Sequence, residues 1–314
     1  MDAHSQTPLI LSIGPQVVTL VEIRGLNGKI AHPRGAVGVV LLQPVDISHA
    51  YRVRFPDETE ASLTRSEIVP LATYKQHSLS EADALLSQHN LFDRVIYRCV
   101  VGSRAYGLDH ENSDTDLRGI YLPPADLHWS LYGVPDQLEI KSSDEAYWEL
   151  QKFVTLALKA NPNILECLYT PLVQLVTPLA QELLDIRELF LSRLVYQTFN
   201  GYVLSQFKKI QTDIRNQGRM KWKHVMHLIR LLLTGIATLK EHRVPIRVEQ
   251  HRDQLLEIKA GLLAWDDIDR WRLQLHREFE AAADTTSLPE RPDYEAANRF
   301  LITARRRALE DGLP

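Results

Sequence analysis

Cysteine is nearly absent from this chain, and the sequence also lacks a membrane-spanning run and the pattern of a signal peptide. These features narrow the class of protein. Only Cys99 and Cys167 occur among 314 residues. Both stand in apolar surroundings without a CxxC partner, so we predict buried thiols rather than a disulfide or a metal site. No run approaches the roughly 18 apolar residues of a membrane span, and Met1 to Pro8 lack the basic and apolar parts of a signal peptide. These absences predict a cytoplasmic protein without a membrane partner.

An excess of positive charge is also lacking. The formal net charge is −4, which argues against a protein coated in cations but leaves room for a local basic groove. Hydrophobic residues make up 45% of the chain and charged residues 24%, so it can bury a core and is not expected to be disordered. The length alone favours about two domains.

The first 75 residues favour β structure. Short β-rich runs are separated by turn residues, and Tyr51 to Phe55 alternate as a half-buried strand should. The predicted strands are Val17–Ile23, Gly38–Leu42, Tyr51–Phe55 and Glu60–Leu63. This segment resembles SH3-like barrels of the KOW type, so we expect a small β barrel over residues 1–75.

The remainder predicts an α+β region followed by helices. A linker helix is expected from Ser78 to Leu91 with Ser80 as its N-cap. Strands are expected at Val95–Val101 and Leu117–Leu122, with a third within 137–148. Helices are expected at about 149–160, 163–168, 177–187, 190–214, 219–242, 249–260, 265–283 and 292–311. We therefore predict an α+β protein with three domains: the barrel at 1–75, a catalytic core at 76–175 and a helical domain at 176–314.

The segment from Gly102 to Gly119 carries the strongest chemical signal. Gly102 and Ser103 end a predicted strand and open a predicted helix. Glycine lets the backbone approach a ligand closely, and a helix N-terminus favours phosphate. Ser103 can add a hydroxyl hydrogen bond, and Arg104 can pair with phosphate oxygens. The turn thus predicts phosphate binding.

Two carboxylates follow, at Asp114 and Asp116. On a strand they would share one face, where they repel each other unless a cation lies between them. Mg²⁺ suits a few carboxylates plus substrate phosphates, with Mn²⁺ as an alternative. Two such ions would clamp the attacking and leaving oxygens of an in-line displacement. This pair beside a phosphate turn predicts metal-dependent chemistry on a nucleoside triphosphate.

Three other motifs do not fit this segment. An EF-hand would need a glycine at its turn and a closing glutamate, and both are missing. The string Gly-Ser-Arg-Ala-Tyr-Gly is not the Gly-x-Ser-x-Gly of a serine hydrolase. A P-loop is excluded because no Gly-Lys-Ser/Thr follows the turn.

The combination of Gly-Ser and Asp-x-Asp resembles the signature of the DNA polymerase β nucleotidyltransferase superfamily. The longer string from Gly102 to Tyr121 resembles its RlaP-type branch, which is associated with RNA repair. The resemblance extends over about residues 91–265, through the further segments 144–153, 161–168 and 221–232. It implies a mixed sheet flanked by helices, with Ser103 on the triphosphate and with Asp114 and Asp116 as metal ligands.

The resemblance also implies a third carboxylate from the next strand. This group would complete the metal site and act as general base. Asp144 is favoured, but Glu139 and Glu145 remain alternatives because the sequence does not fix the register of that strand.

A later helix repeats cationic residues at Lys223, His227 and Arg230. The spacing i, i+4, i+7 puts them on one face. They predict a stripe that faces phosphates or an RNA backbone; a solvated face is the alternative.

Two further segments have a structural and a functional interpretation. Asn161 predicts a helix N-cap, with Glu166 in the capping-box position relative to Asn163, or else a pocket role for Asn161 or Glu166. Tyr106 is either a core residue or a stacking platform for a base.

The resulting hypothesis is a Mg²⁺-dependent nucleotidyltransferase that transfers a nucleoside monophosphate to a hydroxyl and releases pyrophosphate. By analogy with the branch, an RNA 3′ end is the first choice of acceptor. A protein hydroxyl is the second, as in AMPylation by toxin–antitoxin or defence systems, and a small molecule is the third. The rival of another class is a non-catalytic sensor that binds nucleotide or RNA.

Overall fold

The chain divides into two compact units, Met1–His89 and Asn90–Pro314. The computed structural model describes residues 11, 13–25, 28–44, 49–77, 90–111, 113–140 and 142–310. The predicted linker helix and its N-cap Ser80 lie outside the described residues, apart from Asn90 and Leu91. The further division of the second unit at residue 176 stays a prediction.

The first unit is built on an antiparallel sheet of five strands. Its elements are β1 (Gln16–Thr19), β2 (Ile23–Arg24), β3 (Ile30–His32), β4 (Val37–Leu42), β5 (Tyr51–Arg54), β6 (Glu60–Leu63), β7 (Ile68–Pro70) and α1 (Leu71–His77). The strand order is β6-β5-β4-β1-β7, and β2 and β3 form a separate ribbon. Alternate side chains such as Tyr51, Val53 and Phe55 are buried in its core. No pairing of β6 with β7 closes the sheet among the described residues, so the predicted SH3-like barrel is not confirmed.

The second unit contains a mixed sheet, as predicted. Its strands are β8 (Val95–Val101), β9 (Asp116–Tyr121), β10 (Gln137–Ile140), β11 (Glu145–Glu149) and β12 (Val173–Val176). The order is β10-β11-β9-β8-β12, and β11 runs parallel to β9 while the other neighbours are antiparallel. The third strand predicted within 137–148 is in fact the pair β10 and β11. A turn that includes Asp144, whose φ is 49°, separates these two strands.

Helices cover this sheet and continue beyond it. They are α2 (Gly102–Tyr106), α3 (Ala125–Trp129), α4 (Leu150–Leu158), α5 (Pro162–Tyr169), α6 (Pro178–Asp185), α7 (Leu194–Gln217), α8 (Trp222–Glu241), α9 (Arg252–Ala260), α10 (Trp265–Thr285) and α11 (Tyr294–Glu310). Every helix predicted after residue 149 is confirmed within a few residues of its expected ends. None of the described helices combines the length and apolar character needed to span a bilayer.

One continuous apolar core joins the mixed sheet to the long helices α7, α8 and α10. Cys99 and Cys167 are both buried in it as free thiols, which confirms the prediction for them. The end of β8 is therefore supported by the helices that pack in this core.

Gly119 illustrates how tightly the central strands pack. A Cβ at this position would lie 1.9 Å from the carbonyl oxygen of Tyr97 on β8. Because that neighbour is backbone, we expect Gly119→Ala to lower the free energy of unfolding by about 1–3 kcal/mol. The control is Gly201→Ala on α7, where a Cβ meets nothing within 4 Å and alanine favours the helix. Thermal unfolding of both variants measures the difference, and equal midpoints would contradict the account.

Candidate active site

Three strand ends meet at one edge of the mixed sheet. Val101, the last residue of β8, pairs with Asp116, the first residue of β9. In the parallel register of β11 with β9, Glu145 lies opposite Leu117. Asp144, one residue earlier, therefore lies beside Asp116, and the Leu117 amide donates to the Asp144 carbonyl oxygen at 3.2 Å. The fold brings together two carboxylates that are 28 positions apart.

The carboxyl groups of Asp116 and Asp144 are close enough to influence each other's protonation. Burial first, and then the hydrogen bond and the charge of Asp144, together raise the pKa of Asp116 to about 6. The hydrogen bond from Asp116 and then that from Arg118 lower the pKa of the more exposed Asp144. As pH falls, Asp116 therefore takes up a proton before Asp144, as expected when two close carboxyls cannot both ionise cheaply.

Arg118 orients this pair, and the sequence interpretation missed it. Its Nη2 donates to Asp144 Oδ1 at 2.9 Å, and its Nη1 donates to the Asp144 carbonyl oxygen at 2.5 Å. Asp116 and Arg118 are two residues apart on β9, so they share a face. That spacing, Asp-x-Arg within a strand, was the signal that marks Arg118 as a partner of the carboxylates.

Gly102 lies directly against Asp116. Its φ is +71°, and a Cβ there would lie 2.0 Å from Asp116 Oδ2. The predicted sequence of strand, glycine and helix is present, because β8 ends at Val101 and α2 begins at Gly102. Ser103 follows as the second residue of α2 and is half-buried. The turn that was predicted to bind phosphate thus borders the carboxylate pair.

Arg104 contacts the loop that precedes β9. Its Nη2 donates to the Ser113 carbonyl oxygen at 2.6 Å and its Nε to the Asp114 carbonyl oxygen at 3.3 Å. This geometry gives Arg104 a role in holding the loop, and the phosphate contact predicted for it stays a prediction.

Asp114 is exposed and lies in coil two residues before β9 begins. Among the described residues, no group of three or more His, Cys, Asp or Glu side chains is arranged to hold a metal ion. The structure places Asp116 beside Asp144, and the role of Asp114 as a third metal ligand stays a prediction.

The two alternatives for the third carboxylate lie elsewhere. Glu145 accepts from Ser143 Oγ at 2.7 Å and from the Tyr147 hydroxyl. Glu139 is exposed on the edge strand β10 and accepts from the Gln137 amide at 2.7 Å. Neither contacts Asp116, because register and pleat direct them away.

The predicted cationic stripe of α8 runs from the surface into the core. Lys223 is exposed, and its charge lowers the pKa of both Asp116 and Asp144. Burial and the charge of Arg230 lower the pKa of His227 to about 3, so this imidazole is neutral. Arg230 is 1% exposed. The phosphate contact predicted for Arg230 is wrong, because its guanidinium is enclosed within the protein.

Arg230 forms an ion pair with Glu166 of α5. Its Nη1 lies 2.6 Å from Glu166 Oε1, and its guanidinium carbon lies 3.7 Å from the centre of the Tyr106 ring. The Tyr106 hydroxyl donates to Glu166 Oε2 at 2.5 Å. Tyr106 ends α2, the helix that Gly102 begins. This buried cluster therefore fixes the turn beside Asp116 to α5 and α8.

The observed contacts of Tyr106, Glu166 and Asn161 decide between the structural and the functional interpretation of each residue. Tyr106 is a core residue, 9% exposed. Glu166 is buried against Arg230 instead of capping its helix. The side-chain oxygen of Asn161 accepts from the amide of Asn163 at 3.0 Å, which confirms Asn161 as the N-cap.

Comparison with known proteins identifies the family of this chain. The uncharacterized protein YcgL of Bacillus subtilis (strain 168) is 31% identical over 102 residues, and the alignment covers 32% of this chain and 38% of that protein. The chain therefore spans well under half the length of this curated relative. A family model described as the RNA repair pathway DNA polymerase beta family, RlaP, matches residues 74–303. That match covers more than half of the chain and includes β8, β9, β11 and α8, the elements that surround the carboxylate pair, so the chain belongs to the RNA repair pathway DNA polymerase beta family.

Proposed function

We propose that this protein is a divalent-metal-dependent nucleotidyltransferase that transfers a nucleoside monophosphate from a nucleoside triphosphate to the 3′ hydroxyl of an RNA. The single observation that carries the proposal is that the parallel register of β11 with β9 places Asp144 beside Asp116, with Gly102 directly against Asp116. Membership in a polymerase-β-like family associated with RNA repair supports both the reaction class and the acceptor.

The donor set of the site fits a hard cation. Asp116 and Asp144 offer only oxygen atoms, which Mg²⁺ and Mn²⁺ prefer. The charge of Asp144 helps to raise the pKa of Asp116, and a cation between the two carboxylates would relieve this repulsion. Asp114 is proposed as a further ligand, supplied by the exposed loop that Arg104 holds. When bound, the metal would supply Lewis-acid stabilisation of the phosphate oxygens and lower the pKa of the attacking hydroxyl.

The protein's own groups then divide the remaining tasks. The Ser103 hydroxyl and the backbone at Gly102 bind the triphosphate, and the positive charge of Lys223 offsets its negative charge. The acceptor oxygen forms a bond to the α-phosphorus while the bond from that phosphorus to the bridging oxygen breaks. Pyrophosphate leaves with the bonding electrons. Asp144, which Arg118 keeps ionised, receives the hydroxyl proton.

One experiment with labelled substrates tests which molecule accepts the nucleotide and which nucleobase the triphosphate must carry. The protein is incubated with ATP, CTP, GTP or UTP, each labelled at the α-phosphate, with Mg²⁺ or Mn²⁺ and either RNA or total cell protein. We expect label on RNA, released when its 3′ end is removed by a 3′ exonuclease. Label confined to protein would replace RNA by a protein acceptor. Nucleotide binding without transfer under any condition would contradict the enzyme and favour a sensor.

Gly102 provides a test of the geometry. We expect Gly102→Ala to reduce transfer by about a hundredfold, because the new Cβ displaces the Asp116 carboxylate and about 1 Å of misplacement has this effect. The matched control is Gly133→Ala, since Gly133 also has a positive φ, +63°, but its Cβ would meet nothing within 4 Å. Both variants should lose about 1–2 kcal/mol of stability from backbone strain. Equal transfer by the two variants would show that the contact with Asp116 does not matter.

A further inference from the structure

We propose that the turn between α7 and α8 carries the docking surface for the phosphate backbone of single-stranded RNA; this inference rests on the proposed function. The basic hairpin surface consists of Lys208, Lys209, Arg215, Arg219, Lys221 and Lys223, all of which are exposed. Nothing in the sequence interpretation or the family match assigns a role to this surface as a whole.

The helical pattern of α7 presents these cations to solvent. Its inward face near the turn is formed by Gln206, Ile210 and Asp213, which are buried at the spacing i, i+4, i+7. Lys208 and Arg215 lie seven residues apart on the outward side, which is about 10 Å along the helix at 1.5 Å per residue. The exposed face of α7 therefore offers a row of cations that leads toward the turn.

The charge of this segment contrasts with that of the chain. Residues 208–224 contain the six cations and a single acid, Asp213, although the whole protein carries a net charge of −4. Asp213 is occupied by His224 Nδ1 at 2.8 Å and by Lys221 at 3.7 Å. Within the described part of the chain, none of the other five cations has a carboxylate within ion-pair distance. Cations left without partners on an acidic protein indicate a polyanionic ligand.

Composition favours a nucleic acid over a protein partner. Four of the six residues are lysine, which is depleted in protein–protein interfaces, whereas aromatic residues and methionine are enriched there. Trp222, the aromatic residue within this turn, is partly buried and packs against Gly261, where an added Cβ would meet the indole. The surface thus offers charges for phosphates without an exposed aromatic anchor.

The basic hairpin surface is continuous with the candidate active site. His224 Nδ1 lies 2.8 Å from Asp213 Oδ2, which ties the cation row of α7 to the first turn of α8. Lys223 in that same turn acts on Asp116 and Asp144 through its charge. A strand that follows these cations is led to the carboxylate pair, where its 3′ hydroxyl would react. A duplex end or a free nucleotide would use little of this surface.

The test measures binding of a fluorescein-labelled single-stranded RNA oligonucleotide by anisotropy, in the absence of nucleotide and divalent metal. The variant is Lys208→Glu/Lys209→Glu. The matched control is Arg299→Glu/Arg306→Glu on α11, which changes two exposed cations and alters the net charge equally. We expect Kd to rise about tenfold or more for the hairpin variant and the salt dependence of binding to become shallower by about one unit of log–log slope. The control should change Kd by less than about twofold.

Equal weakening of RNA binding in the hairpin variant and the control variant would overturn the proposal. The absence of RNA binding by the wild-type protein would overturn it as well. Equal binding of poly-glutamate and its equal loss in the hairpin variant would replace RNA by an acidic protein partner. Lys208→Gln/Lys209→Gln, which avoids new carboxylates, repeats the test if the charge reversal disturbs folding. The binding test is independent of the transfer assay. If the hairpin binds RNA but the protein transfers no nucleotide, only the proposed function is contradicted. If the protein transfers nucleotide but the hairpin variant binds RNA as tightly as the wild type, only the docking surface is contradicted.

Discussion

Asp116→Asn is expected to reduce nucleotidyl transfer by about 10²–10³-fold or more while making the protein more stable. The activity falls because an amide is a poor ligand for a divalent cation and only Asp144 remains as a carboxylate. The stability rises because burial and Asp144 make ionised Asp116 costly in the folded protein, and the new amide can donate to Asp144 instead. Loss of function with gain of stability is typical of a site whose strain serves chemistry.

The pH dependence of this gain follows from the direction of the pKa shift. The pKa of Asp116 is raised from 3.8 to about 6 in the folded protein. Its destabilising effect therefore appears as pH rises from about 4 to 6, and it is fully present above pH 6. The difference in unfolding temperature between Asp116→Asn and the wild type should be largest at neutral pH and should vanish near pH 4. Differential scanning calorimetry without metal measures this difference in unfolding temperature. A difference that does not depend on pH would contradict the raised pKa of Asp116.

Glu166→Gln is expected to destabilise the second unit by about 3–5 kcal/mol. The substitution leaves the charge of Arg230, which is 1% exposed, without its carboxylate partner. The Tyr106 hydroxyl would also lose the charged acceptor that fixes the end of α2. Urea unfolding followed by circular dichroism measures the effect.

The double variant Glu166→Leu/Arg230→Met supplies the control for this cluster. It removes both buried charges together, and replacing a complete buried ion pair by apolar groups is often nearly neutral. We expect it to recover most of the lost stability. If Glu166→Gln were as stable as the wild type, or if the double variant were the less stable of the two, the ion pair would not hold α5 and α8 to the turn.

The sequence was sufficient to predict the local features of the site. The β-rich run Val95–Val101 before a glycine predicted the strand and turn, because both depend on neighbouring residues alone. The long helices after residue 149 were predictable from their apolar periodicity. The apolar surroundings of Cys99 and Cys167 likewise indicated buried thiols, and both are buried.

The features that depend on tertiary pairing were out of reach. Asp144 lies beside Asp116 because β11 pairs in parallel with β9, and the sequence of neither strand indicates that register. The spacing of Lys223, His227 and Arg230 correctly indicated one helix face. It did not reveal that the end of this face meets Glu166, which draws Arg230 into the core.

The position of Asp114 also depends on tertiary contacts. On a strand, Asp114 and Asp116 would share one face, but β9 begins only at Asp116. Arg104 holds the carbonyl groups of Ser113 and Asp114 outside the sheet. A side chain that bonds to backbone atoms across a loop leaves no periodic signal in the sequence.

The most direct test of the central claim compares the wild-type protein with the Asp116→Asn/Asp144→Asn double variant in one transfer assay. Each is given the four triphosphates labelled at the α-phosphate, Mg²⁺ and single-stranded RNA, and label at the RNA 3′ end is counted. The account predicts labelled RNA with the wild type and none above background with the double variant, although the variant remains folded. Equal labelling by both proteins would contradict the assignment of this carboxylate pair as the catalytic centre.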